Sequence, residues 1–390
     1  MTDGSAKVSA PRGDQAAVDL AALAPAYDQE RIYVASQWQL AWWRFRKHRM
    51  AMLSVVLLFF LYLTAVFCEF VAPHDPNAFN QTYIYAPPHR LHFRDENGLR
   101  LRPFVYGFTR ERDPETFRMR FAPDPTVRYS LHLFVRGAPY ELWGLIPTNL
   151  HLFGIDAEEE PFFLLGADRM GRDVFSRIVY GARVSLSIGL VGVFMSMTLG
   201  VLLGGASGYF GGTVDMAIQR VIELLIAIPS IPLWMGLSAA LPPDWPPLYV
   251  YFGITIILSL IGWSGLARVV RGKFMSLRQE DFVTAAKLCG ASELRIIVQH
   301  LVPSFLSHLI ASLTLSIPGM ILGETSLSFL GIGLRPPVIS WGVLLQEAQN
   351  FRSVALAPWL LIPGAFVVLA VLTFNFVGDG LRDAADPYAR

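Results

Sequence analysis

Glu324, the histidines at 89, 92, 132 and 151, and Asp379 within Gly378-Asp379-Gly380 are the side chains whose types invite a chemical role. Acid–base catalysis inside a membrane by paired carboxylates needs two acidic groups within reach of each other. Asp379 lies beyond the last long apolar run, and no partner aspartate falls inside another, so an intramembrane hydrolase is not supported. The four histidines have no carboxylate or cysteine at metal-ligand spacing, and no metal site is expected. Cys68 sits in an apolar run and Cys289 in a charged segment, which excludes a disulfide framework and a thiolate metal centre. No Gly-rich loop ends in Lys-Ser or Lys-Thr, so the chain itself has no cradle for ATP phosphates and no cofactor of its own is expected. Glu324 is left. It follows Pro318, Gly319 and Gly323 in what reads as a kinked or interrupted helix. An ionisable group at membrane depth marks function by default, so a translocation-path or gating role for Glu324, Pro318 and Gly319 stands beside an interfacial structural one.

The elements that would position such groups are membrane spans. Of 390 residues, 53% are hydrophobic and only 16% charged, well below the quarter or so typical of soluble domains. Mean hydropathy is +0.42, which excludes a disordered chain and argues against a water-soluble enzyme. A net charge of +1 gives no electrostatic case for nucleic acid. Six windows lack Asp, Glu, Lys and Arg: Met50–Cys68, Val184–Val214, Leu224–Pro243, Trp245–Ala267, Leu301–Gly323 and Ser353–Gly378. Each is close to or above the ~20 residues a helix needs to cross a bilayer, and they predict six transmembrane helices in an all-α polytopic protein. None carries a carboxylate at its middle, which disfavours an ion-coupled carrier. The first window starts too late and runs too long for a cleaved signal peptide. Arg44, Arg46, Lys47 and Arg49 flank the first window, and Arg268, Arg271, Lys273, Arg278, Lys287 and Arg295 follow the fourth. The turn at 242–247 has no such charge, so both termini are expected in the cytoplasm and residues 72–183 outside.

The expected organisation is a disordered tail at 1–27, an interfacial helix at 28–49 and a first span at 50–71. An external insert at 72–183, a core at 184–380 containing a connecting loop at 268–303, and a tail at 381–390 follow. Trp38, Trp42, Trp43 and Phe45 alternate with Arg44, Arg46, Lys47 and Arg49, which suits a helix lying in the inner headgroup layer against lipid, with a partner-contacting helix as the alternative. In the insert, Tyr129, Leu131, Leu133 and Val135 alternate with Ser130, His132, Phe134 and Arg136, predicting short strands. Gly192, Ser196, Gly200, Gly204, Gly208 and Gly212 recur every fourth residue in the second window. Such a ridge lets helix backbones approach closely, a packing rather than a chemical role.

The basic loop carries the most information. Between Glu280 and Pro303 the apolar Phe282, Ala285, Ala286 and Leu288, then Leu294, Ile297, Val298 and Leu301, form a stripe on two short helices broken near Gly290. An exposed stripe of this kind needs a partner or a bilayer surface to cover it.

Thr284-Ala285-Ala286, Gly290 after three more residues, and His300-Leu301-Val302-Pro303 after a further nine resemble the "EAA" loop of bacterial ATP-binding-cassette importer permeases. Thr284 stands for the family's Glu, His300 for its Ile and Val302 for its Leu. Further stretches are similar to the C-type permease of dipeptide, oligopeptide and nickel importers: Leu165-Gly166-Ala167-Asp168-Arg169-Met170-Gly171-Arg172-Asp173, Gly181-Ala182-Arg183-Val184-Ser185-Leu186, Gly208-Tyr209-Phe210-Gly211-Gly212 with Asp215, and Glu324-Thr325-Ser326-Leu327-Ser328-Phe329-Leu330-Gly331-Ile332-Gly333. The likeness covers about 30–71 and 162–387. It implies the type-1 importer permease fold in the bacterial inner membrane and a peptide as solute, with nickel or another non-peptide solute as the alternative. It also implies a second, homologous permease, two cytoplasmic ATPases that bind ATP and Mg, and an external solute-binding protein. Thr284, Ala285, Ala286, Leu288, Gly290, Leu294, Ile297 and Pro303 would then form the contact that couples ATP hydrolysis to the spans. Pro303 is expected as an early residue of the fifth span.

Overall fold

A computed structural model describes residues 36–95, 98–112, 114, 119–156 and 160–385. The expected tail at 1–27, residues 28–35 of the interfacial helix and residues 386–390 lie outside the described residues. In chain order the elements are α1 (Gln37–Lys47), α2 (Arg49–Val66), α3 (Cys68–Val71), β1 (His92–Asp95), β2 (Gly98–Arg112), β3 (Met119–Leu142) and β4 (Ile146–Ile155). Then come α4 (Val174–Phe210), α5 (Gly212–Ala227), α6 (Ser230–Ala239), α7 (Pro247–Leu277), α8 (Asp281–Leu288), α9 (Glu293–Ile296) and α10 (Val302–Ser304). The chain closes with α11 (Leu306–Phe329), α12 (Trp341–Gln346), α13 (Phe351–Leu356) and α14 (Ile362–Ala385).

Five helices among the described residues are long and apolar enough to cross a membrane: α2, α4, α7, α11 and α14 with the 3-10 turn Pro358–Leu361 before it. The expected third span is not one straight helix. α5 and α6 meet at 91°, so the window Leu224–Pro243 crosses a break at Ile228-Pro229. Pro229 supplies no N–H to continue the helix, and Ile228 before it is extended (φ −92°, ψ 129°).

Other boundaries move because charged residues can enter a span helix once they are paired. α4 starts at Val174 rather than 184, capped by the Asp173 carboxylate, which accepts from the Phe175 and Ser176 N–H groups. It takes in Arg177, which donates to the Pro76 carbonyl, and Arg183, which grips both oxygens of Glu69 at 2.6 Å. α7 runs on to Leu277, past Arg271, which is paired with Asp215 at 2.6 Å. The expected loop at 268–303 therefore begins inside a helix. α14 reaches Ala385, so Asp379 lies within it rather than beyond it. α2 stops at Val66, and the remainder of the expected first span is α3. α11 is continuous through Pro318, not interrupted. Pro303 belongs to α10, separated from α11 by Phe305, so it precedes the fifth span instead of opening it.

The insert forms one antiparallel sheet in the order β1-β2-β3-β4. Its strands are not short, since β3 alone has 24 residues. β3 pairs with β2 from Met119 to Ser130 and with β4 from Leu131 to Leu142, so the alternating run at 129–136 spans a change of partner. Tyr83, Ala86, Phe163 and Ala167 join Phe108 and Phe121 in a cluster that fastens the sheet to the segments around it.

α4 and α7 run parallel. Tyr251 hydroxyl reaches Ser187 near their N-termini, Ser259 bonds the Gly192 carbonyl midway, and a Cβ on Gly208 would meet Arg271 near their C-termini. α11 runs against α4, with Glu324 beside Ser185 and Met320 beside Gly192. α14 brings Gly380 back to Phe45 of α1 and Ala51 of α2. The described ends therefore share one side of the bundle, opposite the sheet.

Candidate functional site

The connection between α7 and α11 is anchored on one side and bare on the other. Val283, Ile296 and Leu301 are buried with Leu266, Val270, Phe274, Phe305 and Leu309. Phe282, Leu288, Leu294 and Val298 face outward, with Leu288 85% and Leu294 71% exposed. The expected single stripe thus divides: Leu301 turns into the protein, and Ala286 and Ile297 are half-buried. Thr284, Ala285 and Pro303 are exposed. Val283 and Ile296, absent from that stripe, are what hold the loop down.

Gly290 sits at φ +79°, and a Cβ there would meet nothing within 4 Å. Its N–H bonds the Lys287 carbonyl and the Ala291 N–H reaches back to Ala286, both at 3.0 Å. These are the two bonds of a Schellman helix end, in which glycine takes the left-handed position. Gly290 is therefore demanded by backbone conformation, not by crowding. Arg278 fixes the start of the loop by donating to the Gly208 and Tyr209 carbonyls at the end of α4, and Lys287 lies 5.5 Å from the Tyr209 ring centre. α4, α7 and α8 are thereby joined.

Glu324 is wholly buried. The Ser185 hydroxyl donates to Oε2 at 3.3 Å, and the Ser328 and Ser340 hydroxyls donate to Oε1 at 2.8 and 2.7 Å. Each serine in turn accepts a backbone N–H, from Trp341, Leu334 and Val343 respectively. The carboxylate ends three donor chains and ties α4, α11 and the N-terminus of α12 together. Pro318 is buried one face away, while Gly319 is exposed with open space around it.

The small-residue ridge lies along α7. A Cβ would come 2.9 Å from Leu266 at Gly200, 2.4 Å from the Ala267 carbonyl oxygen at Gly204 and 2.6 Å from the Arg271 carbonyl oxygen at Gly208. Ser196 donates to the Ser259 carbonyl at 3.3 Å. Gly212, at φ +55°, is outside the ridge and starts α5.

Sequence reading missed the ion pairs Glu69–Arg183 and Asp215–Arg271 as pairs, although Arg183 and Asp215 stood in recognised motifs. Nothing in sequence spacing joins residues more than fifty positions apart. The Asp168–Asp173 motif is an architectural clasp. Asp168 accepts from the Met170 and Arg172 N–H groups and from Arg172 Nε, while Gly171 at φ +72° backs directly onto the Asn80 carbonyl. Beside it opens a cleft of about 830 Å³ lined by His74, Asp75, Arg136, Asp156 and Glu160 among others.

Residues 197–390 match the family described as "Binding-protein-dependent transport system inner membrane component", and residues 36–88 match "N-terminal TM domain of oligopeptide transport permease C". The oligopeptide transport system permease protein OppC of Haemophilus influenzae is 40% identical over 244 residues, 62% of this chain and 76% of that protein. The dipeptide transport system permease protein DppC of Bacillus subtilis is 30% identical over 354 residues, 90% of this chain and 86% of that one. The solved inward-facing MetNI methionine ABC transporter aligns with a TM-score of 0.41 at 17% identity, over 54% of this chain and 97% of that chain. The two family matches and these two relatives lead to one assignment: the chain belongs to the binding-protein-dependent transport system inner-membrane components, the multi-pass permeases of ABC importers.

Proposed function

We propose that this chain is one of two permease subunits of an ATP-driven importer of peptides, as the names of its relatives indicate. The observation that carries the reading is the segment from α8 to Leu301, packed underneath through Val283, Ile296 and Leu301 and bare on top through Phe282, Leu288, Leu294 and Val298. That bare surface seats in a cytoplasmic ATPase, which binds the ATP and Mg that this chain has no loop to hold. Thr284, Ala285, Ala286, Leu288, Gly290, Leu294 and Ile297 form or position the contact, and Pro303 ends it. The basic residues beside it support cytoplasmic termini. The exposed apolar faces of α5 and α6, including Met216, Leu224 and Ile231, pack on the second permease. The sheet and its cleft face the solute-binding protein outside.

Co-purification tests the reading. With the neighbouring subunits co-expressed, Leu288→Asp together with Leu294→Asp should leave the permease in the membrane and release the ATPases. Unchanged ATPase recovery and peptide uptake with the double variant would refute it.

A further inference from the structure

The turn between β3 and β4 comes down to the end of the first long helix and is apolar. Trp143 (φ +55°) and Gly144 (φ +69°) both occupy the left-handed region, which is unfavourable for a bulky residue unless its surroundings hold it there. They do: the Trp143 indole N–H donates to the Val66 carbonyl at 2.8 Å, and its ring lies 5.3 Å from that of Phe67. Val66 is the last residue of α2, free of a helix partner of its own, and its carbonyl accepts from Arg183 Nη2 at 3.1 Å as well as from the indole. The two residues that follow Gly144 are exposed, Leu145 at 78% and Ile146 at 52%. From Leu142 to Leu150 the chain carries no charged residue.

Two further features lie beside this turn. α2 exposes Phe59, Phe60, Leu63 and Val66, and the turn continues that apolar surface past the helix end. Beneath Trp143, a groove of about 320 Å³ opens between α2 and α4, with Tyr62, Ala65, Leu186, Ser187 and Leu190 in its walls together with Arg183, whose guanidinium is paired with Glu69. The Tyr62 hydroxyl is buried without a hydrogen-bond partner. An indole with its N–H bonded and its ring at a span end matches the aromatic belt of membrane proteins.

We propose that the Trp143–Ile146 turn is a lipid anchor, seated in the interfacial layer of the leaflet nearest the sheet, with a phospholipid acyl chain in the groove beneath Trp143. The anchor holds the sheet down on the bundle. The inference rests on α2 spanning the bilayer, not on the identity of the solute.

The assembled transporter in phosphatidylcholine nanodiscs provides the test. In a Cys289→Ser background, where Cys68 is buried, Leu145→Cys carries an environment-sensitive fluorophore. Nitroxide lipids with the spin near the acyl carbonyl should quench it strongly, and aqueous iodide weakly. Thr109→Cys, on β2 away from the turn, should show the reverse. Trp143→Ser should shift the Leu145 label toward iodide. Iodide quenching of Leu145 equal to that of Thr109, without lipid quenching, overturns the proposal. So does shielding that appears only when the solute-binding protein is added. Phe59→Cys, on the face of α2, reports separately on the span: its failure to respond to lipid-borne quenchers would mean that the spanning reading itself fails.

Discussion

At the scale of single residues, the loop and the buried carboxylate respond to different kinds of change. Gly290 has open space around it and a left-handed backbone, so the cost of substitution is conformational. A β-branched side chain there costs roughly 1–2 kcal/mol, whereas asparagine tolerates the same region. Gly290→Val should therefore insert normally yet lose coupled uptake in reconstituted complexes, while Gly290→Asn keeps most of it. Thr284→Ala should be milder than Gly290→Val, because an exposed hydroxyl is all it removes. Glu324 behaves oppositely. Removing its carboxylate leaves buried serine hydroxyls without their acceptor, at about 1–3 kcal/mol for each such group. Glu324→Ala should lower the melting temperature of the detergent-purified protein by several degrees, and Glu324→Gln, which keeps an acceptor oxygen, by less. Unchanged melting with lost transport in Glu324→Ala would instead place the residue on the solute path.

Among elements, the α4–α7 seam offers a matched pair of substitutions. A Cβ at Gly204 would lie 2.4 Å from the Ala267 carbonyl oxygen, but one at Gly265 on α7 meets nothing within 4 Å. Gly204→Ala must part the two helices and should reduce folded yield and melting temperature sharply. Gly265→Ala should be neutral or stabilising by up to about 1 kcal/mol, the helix propensity difference. In the insert, His89 Nδ1 accepts the Phe163 N–H, and burial pushes the imidazole from its usual 6.5 down to about 4. Between those values the unfolded chain holds a proton that the folded chain refuses. Stability present above about pH 6.5 is lost as pH falls toward 4, by roughly 3 kcal/mol at most. Melting curves of the intact protein across that range should show the slope, and His89→Gln should flatten it. The spans were legible in sequence because lipid forbids unpaired charge and leaves long blank windows. Their ends were not, because Arg177, Arg183 and Arg271 enter helices through partners that only the fold supplies. The break at Pro229 was not read from the sequence: the proline lies inside an apolar window, and composition alone does not distinguish a bend from a continuous span. In the loop, the break at Gly290 was legible, but the split of its apolar residues between an anchored and a bare face needed the packing of α7 and α11.

For the whole molecule the deciding question is parity. Five straight spans would leave the two ends on opposite sides of the bilayer; counting α5 and α6 as one crossing brings them to the same side. The packing chooses between these. α4 and α7 are parallel, since Ser187 meets Tyr251 at one end and Asp215, just after α4, meets Arg271 toward the other. Two parallel spans joined in sequence require the intervening chain to return across the membrane, so the α5–α6 pair must make that return in spite of its 91° bend. Gly380 against Ala51 then places the end of α14 beside the start of α2, on the side away from the sheet. The consequence can be read with an impermeant thiol reagent. In intact spheroplasts, Asp244→Cys in the α6–α7 turn should be labelled, while native Cys289, exposed in the α8–α9 connection, should react only after permeabilisation. Labelling of Asp244→Cys solely after permeabilisation would make α5–α6 a re-entrant hairpin. It would also be incompatible with the parallel α4–α7 seam, so the seam variants at Gly204 and Gly265 would then have to behave alike.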